Sequence, residues 1–482
     1  MTISDEIYNL IVQNFNYPFT PSQKRAAILL SHFISTPISD AACILRGYAG
    51  TGKTSLVGAL VKVMIMLKRP VVLLAPTGRA AKVFAQHAGC SAYTIHRAIY
   101  RQQSFQGENT RFSLGFNKLH HALFIVDEAS MISRGTGGMS KSVFGTGELM
   151  DDLIRFVYSG EGCRLLLVGD KAQLPPVGEE ESYALNNYFL KQYGLTVGSA
   201  DLTEVVRQSC QSEVLSNATM LRTLMQQPFN GIPPIHTHPN GEVRSLPGNE
   251  LIESLVTDYQ EFGVNGVIVV TRSNKRANIY NNGIRAQIFD REEQLVRGDI
   301  VMAVKNNYFW AEQCAKSLPQ GEHIPFDFIA NGDTAEVLRI RNVHEQYGFM
   351  FADATLRLPD YADFEIDCRV LLSTLTSESP SLTSTESNSL YEQVLADYQH
   401  IPLKKDRLKA LRQDPYYNAL QIKYAYAVTC HKAQGGQWQR VYIDQGFVPE
   451  DDLGLPYLRW LYTAFTRTTD RVYLVNWPSQ TS

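Results

Sequence analysis

The sequence predicts an α/β chain made of two strand–helix units, with a β-hairpin inserted in the first and a small β-barrel in the second. Short apolar runs at 42–45, 71–75, 122–126 and 164–168 read as buried strands and alternate with helical spacing. A second such set opens at 266–271 and resumes near 423. Between 295 and 375 the pattern changes to short strand-like runs separated by Asn, Gly and Asp, as a barrel requires. The expected division is 1–210 for the N-terminal helices and first unit, with the hairpin at about 98–118. Residues 211–295 and 415–482 form the second unit, and 296–414 the barrel with a Ser/Thr-rich loop.

The 482 residues are 44% hydrophobic and 19% charged, the balance of an ordinary globular protein. The net charge of −3 gives no overall attraction to a polyanion, so phosphate contacts need a local basic groove. Seven cysteines stand singly at 43, 90, 163, 210, 314, 368 and 430, with no C-x-x-C pair. Zinc and iron–sulfur sites are not expected, and reduced thiols fit a cytoplasmic location. Residues 1–16 are amphipathic without a basic leader region, and no apolar run approaches about 18 residues, so no membrane span is expected.

Residues 1–41 read as two helices, the second capped by Thr20 with Pro21 at its first position. Gln23 in its first turn is a candidate for an adenine edge. The run at 46–55 fits the phosphate-loop pattern G-x-x-x-x-G-K-[ST] from Gly47 to Thr54, between a buried strand and a helix. Glycines let backbone N–H groups point at an anion, and the helix N-terminus adds favourable partial charge. Gly47, Ala49, Gly50, Thr51, Gly52 and Ser55 are the candidate cradle. Lys53 is placed to bridge the β- and γ-phosphates of ATP, and Thr54 to hold Mg²⁺.

A strand at 71–75 runs into Thr77-Gly78-Arg79, where hydroxyl, glycine, arginine and a helix start suit a phosphodiester backbone. Residues 98–118 hold Phe105, Phe112 and Phe116 and turn residues around Gly107-Glu108-Asn109, a hairpin signal. The strand at 122–126 ends in Asp127 and Glu128. Carboxylates at the carboxyl end of a parallel strand face the ligand crevice: Asp127 suits Mg²⁺, and Glu128 suits an attacking water. Residues 133–147, rich in Gly, Ser and Thr, read as a surface loop. After 164–170, Gln173 is placed to sense the γ-phosphate, with the stiff Pro175-Pro176 pair beside it. A strand from 202 ends in Arg207, a candidate phosphate-facing cation.

Residues 212–262 read as largely helical, with breaks at 228–248, and 373–389 as a Ser/Thr-rich flexible loop. A single strand at 423–429 then feeds Cys430-His431-Lys432-Ala433-Gln434-Gly435-Gly436-Gln437-Trp438. A strand at 440–444, a helix at 457–466 and a strand at 471–475 follow.

Taken in order, GYAGTGKTS, IVDEAS, VGDKAQLPPVG, TCHKAQGGQW and LYTAFTRT resemble the motif series of superfamily 1 helicases, nearest the RecD-like and Dda-like group. The resemblance runs from Gln23 to Arg467. It implies two RecA-like P-loop domains with ATP and Mg²⁺ between them, an Src-homology-3-type barrel and a strand-splitting hairpin. It implies 5′ to 3′ movement on single-stranded DNA and unwinding of duplex forks, in replication, recombination or repair. A monomer without membrane attachment is expected, with replication or repair proteins as possible partners. By the same resemblance Gln23 reads adenine, Gly435 joins the nucleotide site, Gln173 links nucleotide to DNA, and Arg207 and Arg467 are arginine fingers. Thr77, Arg79, Thr94, His96, Pro175, Thr429 and His431 fall where relatives touch the strand. The sequence departs from the pattern at Gln437, where many relatives carry a glutamate. The alternatives are an RNA helicase, or a translocase that does not separate strands.

Overall fold

The computed structural model describes residues 2–102, 112–135, 148–206, 212–319, 324–326 and 328–478. In the first half the strands are β1 (Ala41–Gly47), β2 (Val71–Ala75), β3 (Ala92–Thr94), β4 (Tyr100–Gln102), β5 (Phe112–Leu114), β6 (Leu123–Val126), β7 (Arg164–Gly169) and β8 (Thr196–Leu202). The helices there are α1 (Ile3–Asn14), α2 (Pro21–Ser35), α3 (Lys53–Met66), α4 (Gly78–Ala88), α5 (Ile95–Ile99), α6 (Leu149–Ser159) and α7 (Asn187–Lys191). Six strands form a parallel sheet in the order β3-β2-β6-β7-β1-β8. Both faces of β1 are covered: Ala41, Cys43 and Leu45 pack on the side of α1 to α3, Ala42 and Ile44 on the side of α5 and α6. Covering both faces explains why these strands read as continuous apolar runs.

The second half contains β9 (Val243–Leu246), β10 (Val267–Thr271), β11 (Ile300–Ala303), β12 (Thr334–Gln346), β13 (Phe349–Leu358), β14 (Phe364–Leu371), β15 (Leu420–Tyr424), β16 (Ala427–Thr429), β17 (Trp438–Asp444) and β18 (Thr468–Val475). Its helices are α8 (Glu213–Leu224), α9 (Leu251–Phe262), α10 (Asn274–Gln287), α11 (Phe309–Ser317), α12 (Ser384–Asp397), α13 (Lys404–Arg412), α14 (Cys430–Ala433) and α15 (Leu455–Phe465). A parallel sheet β16-β10-β17-β18-β9 carries the second unit, and β11 to β15 close a five-stranded barrel.

The structure differs from the sequence reading in four places. The run at 423–429 is two elements: β15 closes the barrel, the chain bends at Ala425-Tyr426, and β16 joins the sheet. The bend is fixed by Tyr426, which is buried and donates its hydroxyl to Asp299 while accepting from Ile300 N. Ser384 to Ser389 belong to α12, because Thr383 and Glu386 form a capping box that a Ser/Thr-rich composition disguises. The strand placed from 202 instead ends there, as β8. In the segment read as largely helical, 243–246 forms β9, paired in parallel with β18.

The inserted hairpin is present at its base, where β4 and β5 pair antiparallel from Tyr100↔Leu114 to Gln102↔Phe112. Its tip at 103–111, with Phe105, lies outside the described residues, as do 136–147 of the expected surface loop.

Candidate nucleotide cleft and nucleic-acid groove

The phosphate loop joins β1 to α3. Gly52 caps α3 with φ +79°, a left-handed conformation. A Cβ there would lie 2.6 Å from Gln23 Nε2, so both backbone and space call for glycine. Lys53 Nζ donates to the carbonyls of Gly47 (2.6 Å) and Tyr48 (3.0 Å), within the loop it serves. Asp127 and Glu128 follow β6, and Glu128 sits at φ +50°, an uncommon conformation for a residue with a side chain. Desolvation and the adjacent Glu128 charge raise the Asp127 carboxyl above the ordinary aspartate range.

These groups line a cleft of about 430 Å³ closed by the second half. Ala49, Gly50, Gly52, Lys53, Thr54, Ser55, Asp127, Glu128 and Gln173 come from the first half; Gly435, Gln437 and Arg467 come from the second. Arg467 Nη1 lies 3.8 Å from Glu128 Oε1, and Arg467 is almost fully buried. Its Nε donates to Thr463 O at 3.1 Å, which fixes the guanidinium against α15. The amide oxygen of Gln173 is buried with no hydrogen-bond partner among the described residues.

Three residues expected at the nucleotide, Gln23, Gly47 and Thr51, do not line the cleft. Gln23 is buried, donating to Thr51 O (2.9 Å) and accepting from Thr20 N (2.9 Å), so it ties α2 to the phosphate loop. Thr51 turns its hydroxyl to Tyr48 O at 2.8 Å, and Gly47 is the last residue of β1. Arg207 lies outside the described residues.

A second groove, of about 370 Å³, runs between both halves and the barrel. Thr77, Arg79 and His431 line it, with Pro176, Asn331, Lys432 and Gln434. The Arg79 guanidinium stacks 4.1 Å from the ring centre of Trp438. Burial lowers the Arg79, His431 and Lys432 pKa values, Lys432 to about 8. The halves touch closely here: a Cβ on Gly435 would come within 2.8 Å of Ala80 Cβ. Thr429 caps α14 just before His431, and Pro175 precedes Pro176; neither lines the groove.

Thr94 and His96 are not in this groove. Thr94 is buried as the cap of α5, accepting from Arg97 N at 3.3 Å. His96 faces a different cavity, of about 860 Å³, with rings of Tyr100 and Phe328 at 5.7 and 6.2 Å. Desolvation pushes its pKa down to about 4. That cavity lies between α5 and second-half residues around 311–328, apart from the groove of Thr77, Arg79 and His431.

Comparison with known proteins bears on this two-part site. An AAA domain model matches residues 20–223, and a UvrD-like helicase C-terminal domain model matches 424–475. Together they hold the cleft residues of both halves. The chain thus resembles an AAA domain in its first half and the C-terminal domain of UvrD-like helicases in its second. Among proteins similar to this chain, uncharacterized protein R530 of Acanthamoeba polyphaga mimivirus is 22% identical over 89% of this chain and 94% of that protein. The ATP-dependent RecD2 DNA helicase of Deinococcus radiodurans is 32% identical over 36% of this chain and 21% of its own. The ATP-dependent DNA helicase dda of Enterobacteria phage T4 is 25% identical over 54% of this chain and 55% of its own. The matches thus span about a fifth and about half of those two named helicases.

Sequence reading missed three residues that join the two halves. Tyr462 donates to Asp170 Oδ2 (2.6 Å) and accepts from Ala49 N (2.9 Å). Thr463 Oγ1 accepts from Leu174 N, and Gln434 Nε2 donates to Leu174 O, both at 2.8 Å. Tyr462 and Thr463 lie within LYTAFTRT and Gln434 within TCHKAQGGQW, but each reads there as an ordinary helix or loop residue. Their partners lie hundreds of residues away.

Proposed function

We propose that the chain is an ATP-driven DNA helicase that moves 5′ to 3′ on single-stranded DNA and separates duplex at a fork. The observation that carries this is Arg467 of the second half lying 3.8 Å from Glu128 of the first, inside the cleft that holds Lys53. A site divided in this way can link hydrolysis to movement of the halves.

ATP binds with its phosphates along the loop, and Lys53 turns from the Gly47 and Tyr48 carbonyls to phosphate oxygens. Gln23 keeps one N–H and one lone pair beyond its present bonds, the pair an adenine edge requires. Glu128 orients and deprotonates the attacking water, and the free amide oxygen of Gln173 accepts from that water. Arg467 leaves Glu128 for the transferring phosphoryl group and neutralises its charge, with Arg207 as a second finger.

Thr54 and Asp127 fit Mg²⁺, being hard oxygen donors that both line the cleft. No group of three or more His, Cys, Asp or Glu gathers as a cation site among the described residues, so phosphate oxygens and water would complete the ion's shell. When bound, Mg²⁺ neutralises phosphate charge.

The groove of Thr77, Arg79, His431 and Lys432 takes the sugar–phosphate backbone. Gln173 and the following Leu174-Pro175-Pro176 connect cleft to groove, so closure around ATP shifts the grip on the strand. At the hairpin, Phe116 is 77% exposed and available to stack at the fork.

The test is unwinding of two partial duplexes, one with a 5′ and one with a 3′ single-stranded tail, with ATP and Mg²⁺. The expected result is unwinding of the 5′-tailed substrate alone. Preference for the 3′ tail would overturn the polarity. ATP hydrolysis stimulated by single strands without unwinding would leave a translocase, and stronger stimulation by RNA an RNA motor.

A further inference from the structure

We propose that Tyr462 is a positioning residue that makes hydrolysis depend on docking of α15 against the phosphate loop. This rests on the proposed ATP-driven function and assigns a device within that site. Tyr462 and Asp170 are both buried, and the tyrosine hydroxyl touches both the loop and the residue after β7. It accepts the Ala49 N–H at 2.9 Å, so this loop amide is held by the second half and does not face the cradle. The same hydroxyl donates to Asp170 Oδ2 at 2.6 Å, and Asp170 Oδ1 accepts from Ala172 N at 2.8 Å. Asp170 therefore ties the tyrosine to the turn that carries Gln173.

The next residue extends the link. Thr463 holds Leu174 N through its side chain, and its carbonyl accepts from Arg467 Nε. One turn of α15 thus grips the phosphate loop, the Gln173 segment and the finger arginine together. If α15 moves away, the Ala49 N–H and the Asp170 carboxylate lose their shared partner. Buried groups that lose a partner drive local rearrangement. Docked, the hydroxyl fixes the loop and Gln173 in one arrangement at the moment Arg467 faces the cleft. Tyr462 touches no reacting atom; it acts through Ala49 and Asp170.

The experiment is steady-state ATP hydrolysis by the full chain with saturating oligothymidylate, for wild type, Tyr462→Phe, Asp170→Asn and the double variant. ATP KM and the Kd of a fluorescent oligothymidylate are measured alongside. Loss of the two buried bonds in Tyr462→Phe is expected to lower kcat about tenfold or more, with KM and Kd within about twofold of wild type. Because the tyrosine acts through the aspartate, the double variant should lose little beyond the worse single variant. The inference is overturned if Tyr462→Phe keeps wild-type kcat, or if KM rises as far as kcat falls. It is also overturned if the double variant loses the product of the two single losses. A thermal melt checks folding; if Tyr462→Phe does not fold, Asp170→Asn carries the same kcat-against-KM comparison. Wild-type turnover with an unaffected Tyr462→Phe would overturn this inference alone. No DNA-stimulated turnover by wild type would overturn the proposed function with it.

Discussion

At the scale of single residues, the proposed chemistry turns on Glu128. It stands in a left-handed conformation after a buried strand, beside Asp127 and within reach of Arg467. Removing its charge while keeping its shape isolates its part in water activation. Glu128→Gln is expected to lower kcat by roughly 10²- to 10⁴-fold, the usual range for a general base, with ATP affinity retained. Measuring kcat together with binding of a fluorescent ATP analogue checks this. The two carboxylates, the lysine and the loop glycines were legible in the sequence because their spacing is local. Gln23 was legible as a helix-start residue, yet its support of Thr51 was not, since capping and loop support leave the same sequence trace.

At the scale of elements, the barrel meets the first half through α4. Lys82 donates to Pro359 O at 2.8 Å and lies 3.5 Å from Asp360. Asp333 is buried beside Gly78, accepting from Tyr361 OH and Ala330 N, each at 2.7 Å. Desolvation pushes the Asp333 carboxyl up to about 7, Tyr361 and Ala330 oppose that rise, and Asp360 adds to it. Between its unfolded value near 3.8 and about 7 the folded chain holds the extra proton, so this group's contribution to stability falls as pH rises through that window. Asp333→Asn keeps an acceptor and removes the titration. Its melting temperature is expected to gain on wild type from pH 5 to about pH 7 and to level off above that; a gap that does not change with pH would count against the assignment. Elements were readable where one period dominates, as in β1 or α3. They were misread where a buried run bends at Ala425-Tyr426, or where a capping box lies in a Ser/Thr-rich stretch before α12.

At the scale of the whole molecule, two parallel sheets meet along a line holding the nucleotide cleft and the groove of Thr77, Arg79 and His431. The motif order in the sequence announced both halves. The contacts across the line, Tyr462 with Ala49, Thr463 and Gln434 with Leu174, and Arg79 with Trp438, were not announced, because long-range packing leaves no periodic signal. The placement of His96 in a separate cavity, and of Thr94 as the buried cap of α5, has the same origin, since contacts between distant segments are not written locally. The central claim is that one catalytic site is assembled from both halves. It is tested most directly by ATP turnover with saturating single-stranded DNA for wild type, Lys53→Ala and Arg467→Ala. Lys53→Ala should abolish turnover, and Arg467→Ala should lower kcat by about 10³-fold or more, the range known for arginine fingers, with DNA affinity kept. Wild-type kcat in Arg467→Ala would contradict a site shared between the halves.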